Sequence, residues 1–225
     1  SNSKIYSIST KNGNLNWSFE TASKDLKDSK SYQIAIYNNN LVFTNDNAEI
    51  YCLDLKKNNI KWSLIFKTSN FENTPLLFKS SPITVDRKGN IFVSTNYGHT
   101  YAIDIKSGFI KWSVPIYSTN RFAITGKYLV NTWKNRVFIM NKSDGKLLLN
   151  KKLEIIDKKN SKNFFKELII GNKWIYLFDN KGFKFSLDKS NLSKYSKTRV
   201  SKNYESLIIY NNNLFINTKN SILKF

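Results

Sequence analysis

Along residues 99–116, HTYAIDIKSGFIKWSVPI, Tyr101, Ile103 and Ile105 alternate with Ala102 and Asp104, the period of two that marks a β-strand. Tyr51, Leu53 and Leu55 alternate with Ile50, Cys52 and Asp54 in the same way. Each such strand runs into a polar turn, Lys11-Asn12-Gly13, Lys106-Ser107-Gly108 or Ser143-Asp144-Gly145, where Gly takes positive φ without a steric penalty. A second strand follows, with Trp at 17, 62 and 112. The phrase recurs from residues 4, 49 and 136, from 183 in a copy aligned with one residue deleted, and from 221 as a truncated sixth copy. Steps of 45, 50, 37, 47 and 38 residues between the starts match the length of a four-stranded propeller blade.

The segments between copies supply the remaining strands. Residues 31–37 and 41–45 form a hairpin about Asn38-Asn39-Asn40, and residues 80–85 and 90–96 precede the organising phrase. Later pairs flank Gly126-Lys127 and precede Phe183. The middle strands, such as Leu41-Val42-Phe43, Ile91-Phe92-Val93 and residues 174–178, are apolar on both faces, as expected where each sheet packs against a neighbour on either side. The pattern therefore predicts an all-β fold, a β-propeller of four-stranded antiparallel blades, over residues 1–225 as one domain. Four complete blades are expected, with a partial blade at each end. Because propellers remove sheet edges by closing the ring, further upstream blades are expected, about five of eight being present here. At the Trp position, Trp17, Trp62, Trp112 and, in the fifth copy, Tyr195 are expected to dock adjacent blades, since an aromatic repeated at one place in the repeat serves the fold. Leu149 takes that place in the fourth copy. Trp133 and Trp174, on second strands, are expected in the core.

Composition narrows the chemistry. The 36 Lys and Arg against 16 Asp and Glu give +20, but the lysines lie in every repeat, mostly at turns, and not in one binding patch. The expected reading is a solvated surface and no nucleic-acid partner. A single Cys, Cys52, cannot form an internal disulfide and reads as a buried strand residue. With His99 the only His, a His-based metal cluster is excluded. No phosphate-cradling Gly-rich loop is present. Asp54, Asp104 and Asp188 recur at one repeat position, where a carboxylate is expected to cap the turn through backbone N–H groups.

The repeat YAIDIKSGFIKW at 101–112 and YCLDLKKNNIKW at 51–62 resembles the pyrroloquinoline-quinone-like β-propeller repeat. Within that superfamily the chain resembles the C-terminal blades of the BamB family of outer-membrane β-barrel assembly lipoproteins. The resemblance implies a non-enzymatic scaffold, without cofactor, that assists insertion of β-barrel proteins into the outer membrane. It implies a periplasmic location and attachment through a lipid on an N-terminal Cys that this sequence does not contain. The implied partner is the periplasmic repeat region of a BamA-like barrel-assembly protein, contacted through loops at residues 26–30 and 77–79: Leu26, Lys27, Lys30, Leu77, Phe78 and Lys79. Leu77-Phe78-Lys79 stand where the family has acidic residues. The rival reading is a quinone-dependent dehydrogenase, which needs hard-oxygen Ca²⁺ ligands and, in most such enzymes, adjacent cysteines that a single Cys52 cannot supply. A third is a general peptide- or polysaccharide-binding propeller.

Overall fold

The computed structural model describes residues 4–21, 33–66, 78–153, 164–201, 204–211 and 213–224. The chain divides into two compact units, Ser1–Phe122 and Ala123–Phe225. All regular structure among the described residues is β, in antiparallel sheets of consecutive strands.

In the first unit, β1 (Lys4–Ile8) pairs with β2 (Leu15–Glu20) as a two-stranded sheet. The second sheet is β3 (Ile34–Tyr37), β4 (Asn40–Thr44), β5 (Glu49–Asp54) and β6 (Asn59–Ile65) in that order. The third is β7 (Thr84–Val85), β8 (Asn90–Ser94), β9 (Thr100–Asp104) and β10 (Ile110–Val114). The second unit opens with the fourth sheet, β11 (Ala123–Thr125), β12 (Tyr128–Trp133), β13 (Arg136–Asn141) and β14 (Leu147–Lys152). The fifth is β15 (Phe165–Ile170), β16 (Trp174–Asp179), β17 (Phe183–Asp188) and β18 (Tyr195–Arg199). The sixth has three strands, β19 (Tyr204–Tyr210), β20 (Asn213–Thr218) and β21 (Ile222–Lys224).

Strand alternation decides which core each side chain enters. On β4 and β5, Leu41, Phe43 and Leu53 join Ile5 in a cluster with the first sheet. The intervening Val42, Ile50 and Cys52 face the other way and pack with Ile91, Val93 and Ile103 of the third sheet. In the second unit Val137 and Ile139 pack with Ile175, Leu177 and Phe185, while Phe178 turns to Tyr204 and Ile216 of the sixth sheet. Middle strands are thus buried on both faces, as the doubly apolar sequence pattern predicts. Burying a side chain of this size contributes about 1.5–3 kcal/mol.

Two readings of the sequence need correction. The fifth copy carries no deletion. Phe66, Leu153 and Val200 each donate a backbone N–H to the residue preceding their own copy, Ala48, Asn135 and Gly182, so the fifth copy runs the full length to Val200. In register, Trp17, Trp62, Trp112 and Leu149 face Ser7, Cys52, Ala102 and Ile139. Tyr195 faces Leu187, and it is Ser196 that sits opposite Ser186 at the tryptophan's place. Secondly, Trp133 and Trp174 are only half-buried. Each lies at an end of its strand with a lysine over its ring, Lys134 at 4.4 Å and Lys173 at 5.4 Å.

Candidate functional site

The recurring carboxylates are engaged by the turns that follow them. Asp54 Oδ1 accepts the backbone N–H groups of Lys56 and Lys57 at 2.8 and 3.1 Å. Asp104 Oδ1 accepts those of Lys106 and Ser107 and the Ser107 hydroxyl, at 2.9, 3.1 and 3.1 Å. Asp188 accepts the N–H and hydroxyl of Ser190 at 2.8 and 2.7 Å. In the fourth copy Asn141 does the same for Ser143, and in the first Ser9 accepts from Lys11. Carboxylate, carboxamide and hydroxyl are interchangeable here because the turn needs only an acceptor oxygen. The backbone donors of Lys56 and Lys57 hold the Asp54 carboxyl below its ordinary range, and the Ser190 bonds do so for Asp188. For Asp104 burial pushes upward, and the combined bonds from Ser107, Lys111 and Lys106 outweigh it, leaving the carboxyl low.

Just beyond each cap lies the docking turn. Trp62, on β6, donates its Nε1–H to the Ile105 carbonyl of the third sheet at 2.8 Å. Its ring lies against Gly108, where a methyl group would fall 2.7 Å from the ring. Gly108 has φ +74°, so the turn and the ring contact both require glycine. Trp17 meets the corresponding turn of the second copy, in a small cleft with Leu53, Leu55 and Asn58; Asn58, at φ 52°, replaces glycine there. Tyr37 of β3 closes the same seam as Trp62 from the other side, donating its hydroxyl to the Arg87 carbonyl at 2.6 Å. Trp112 is half-buried, 6.0 Å from the Phe92 ring of its own sheet. Tyr195 is 38% exposed and packs on Phe185 at 6.2 Å, with Lys151 Nζ over its outer face.

The single cysteine and the single histidine of the sequence are not placed for chemistry together. Cys52 is fully buried, and burial pushes its thiol up to about 11, so it is protonated and inert at neutral pH. His99 is partly exposed at the mouth of β9 beside Tyr101, 6.1 Å ring to ring. Tyr51 is pushed up to about 12 by burial and by its 2.8 Å bond to Glu49. Among the described residues no three His, Cys, Asp or Glu side chains group as metal ligands.

Of the six expected partner-contact residues, Leu26, Lys27, Lys30 and Leu77 lie outside the described residues. Phe78 is 8% exposed and packs between Phe66 and Tyr97 at 5.9 and 5.4 Å, inside the core. Lys79 is exposed and donates its backbone N–H to the Asn96 side chain. At this loop the accessible group is therefore the lysine and not the phenylalanine ring. Sequence alternation could not reveal this, because residues 78–79 precede the first strand of their sheet.

No curated protein matches the chain by sequence. In structure, BamB from Moraxella catarrhalis superposes with a TM-score of 0.74 at 12% identity, covering 99% of this chain and 66% of that one. The Cps50 (Swd1) β-propeller domain of Myceliophteria thermophila gives 0.62 at 10% identity, over 89% of this chain and 67% of that domain. At such identities the likeness is one of fold. The chain spans about two thirds of the length of the Moraxella protein. By sequence, residues 1–150 match the family model described as outer membrane protein assembly factor BamB, and by that match the chain belongs to the BamB family of β-propellers.

Proposed function

We propose that the chain is a non-enzymatic protein-interaction scaffold that assists assembly of β-barrel proteins into the outer membrane. In this reading it works in the periplasm, attached to the outer membrane through a lipid. It binds the periplasmic repeats of a BamA-like barrel-assembly protein through the loops at residues 26–30 and 77–79. The observation that carries the proposal is the family match over residues 1–150. The geometry supports it from the chemical side: the acidic residues that recur with the repeat are engaged in turn caps, and the one thiol is buried and held protonated. Groups so engaged are unsuited to holding Ca²⁺ or activating a substrate.

The test is calorimetric titration of the chain against the periplasmic repeats of its own organism's BamA-like protein. Saturable binding is expected, weakened about tenfold by Lys79→Glu, which reverses an exposed charge. Phe78→Leu, which acts on the core, is expected to lower stability and leave affinity unchanged. Absence of binding, together with uptake of a quinone in the presence of Ca²⁺, would replace the scaffold with the dehydrogenase reading.

A further inference from the structure

The charge of the chain is unevenly shared. Residues 123–225 hold 21 Lys and Arg against 7 Asp and Glu, net +14, and the first unit carries the remaining +6. Three of these cations lie along the seam between the fourth and fifth sheets. On β18, Tyr195, Lys197 and Arg199 alternate onto one face, opposite Leu187, Phe185 and Phe183 of β17. Lys197 Nζ lies 4.2 Å from the Phe183 ring centre and 5.4 Å from that of Phe185. The Arg199 guanidinium lies 5.4 Å from Phe183. From β14 of the neighbouring sheet, Lys151 reaches over Tyr195 at 4.9 Å and donates to the Ser193 carbonyl at 2.6 Å. Phe185 belongs to the core between these two sheets, so the three cations roof its outer rim.

Among the described residues no carboxylate pairs with Lys151, Lys197 or Arg199. Two of the fifth sheet's three acids, Asp179 and Asp188, are already hydrogen-bonded to turn N–H groups. Like charges two residues apart on one strand face repel, and a multivalent anion lying along the rim would relieve that repulsion. The rings also discriminate between anions. A single-stranded nucleic acid needs open aromatic faces on which to stack bases, whereas here Phe183 and Tyr195 are covered by cations. On the same strand as Lys151, three and four residues before it, Leu148 and Leu147 are 46% and 42% exposed. Cationic heads on aromatic and aliphatic ground match a bilayer surface, where phosphates meet the acyl boundary.

We propose that the rim formed by Lys151, Lys197 and Arg199 on edge strands β14 and β18 binds the anionic phosphate surface of a lipid bilayer. This goes beyond the scaffold reading and uses a different part of the chain, so the two stand or fall separately. The test is flotation of the full chain with protein-free vesicles of phosphatidylcholine, alone or with about one third phosphatidylglycerol. Binding is expected only to the anionic vesicles and is expected to be lost in about 0.5 M salt, where screening is nearly complete. The triple variant K151Q/K197Q/R199Q is expected to weaken it at least about tenfold. K56Q/K57Q/K106Q, which removes the same charge from exposed turns of the first unit, is expected to leave it within about twofold. R199Q alone, which leaves the Lys197 ring contacts intact, is expected to weaken binding about threefold, and near-ultraviolet circular dichroism checks the fold of each variant. Equal loss in both triple variants, no vesicle binding, or tighter binding of an oligothymidylate with the same residue dependence would each overturn the proposal.

Discussion

At the scale of single residues, one glycine and one indole meet at the seam between the second and third sheets. Gly13 and Gly108 occupy the same place in their copies and share φ +74°. A methyl group at Gly13 meets nothing within 4 Å, while at Gly108 it falls 2.7 Å from the Trp62 ring. Gly13→Ala is therefore expected to cost about 1–2 kcal/mol, the penalty of a left-handed conformation alone. Gly108→Ala is expected to cost at least about 1 kcal/mol more, because the ring must move. Urea denaturation of the two variants measures the difference, and equal costs would mean that Trp62 does not hold the seam. Trp62→Phe keeps much of the apolar contact and loses the bond to the Ile105 carbonyl, for an expected loss of about 1–2 kcal/mol. Cys52 provides a second readout. Fully buried and with its thiol pushed up to about 11, it is expected to react with a thiol reagent at pH 8 only through opening of the second sheet. The labelling rate should then rise in Gly108→Ala in step with its lost stability, and rapid labelling of the unaltered chain would contradict the burial.

At the scale of the strand pair, an acceptor at the turn and one extra residue in the strand after it set the geometry. In the first four copies the residue before the docking position, Asn16, Lys61, Lys111 or Leu148, is bulged out of the ladder, which adds twist and re-aims the next side chain. Each of these turns has Gly or Asn in the left-handed region, at 13, 58, 108 or 145. In the fifth copy Leu192 stands at that position. A leucine resists positive φ, so the loop is one residue longer and the bulge disappears; the two changes offset, and Ser196 holds the docking register. The aromatic, Tyr195, stands one place short of it, which is why the fifth copy read as carrying a deletion. Alternation and turn glycines made the strands and their pairing legible, but the bulge depends on a backbone conformation that a residue count does not reveal. The cationic rim was hidden for a related reason. Lys151, Lys197 and Arg199 are scattered in sequence, and only the pairing of β17 with β18 and the reach of β14 bring them to one seam. The turn caps were legible because an acceptor recurs at a fixed place. At that place Asp104→Asn is expected to keep the turn bonds, as Asn141 does in the fourth copy, and to lose only the charge contact with Lys111, whereas Asp104→Ala is expected to cost about 1–2 kcal/mol. Asp104 also titrates with its carboxyl held low in the folded chain, so its contribution is present above the unfolded carboxylate range and fades as pH falls through the folded value. The advantage of the unaltered chain over Asp104→Asn should shrink from pH 6 to about 3. A constant difference would assign the effect to shape and not to charge.

For the whole molecule, the net +20 sets the sign of the response to salt. A chain held chiefly by ion pairs loses stability as salt screens them, whereas one whose excess charge repels itself gains. The ion pairs among the described residues favour the second case. The ion pairs Lys4–Glu20 at 3.0 Å and Lys111–Asp104 at 3.3 Å are partly exposed, and pairs of that kind contribute about 0–1 kcal/mol. Against them stand the many lysines whose heads rest on rings, such as Lys166 over Tyr204 at 4.9 Å and Lys184 over Tyr176 at 5.7 Å. These contacts place the aliphatic stems on apolar ground without cancelling the charge. Raising salt from about 20 to about 200 mM, which shortens the screening length several-fold, is therefore expected to raise the melting temperature. Because residues 123–225 carry +14 and the first unit +6, the gain should be larger for probes in the second unit, such as the fluorescence of Trp133 and Trp174, than for Cys52 labelling in the first. The triple variant at the seam rim removes three of those charges and should melt higher than the unaltered chain at low salt, with the difference closing at high salt. A melting temperature that falls with salt would show instead that ion pairs dominate, and that the surface lysines are neutralised within the chain.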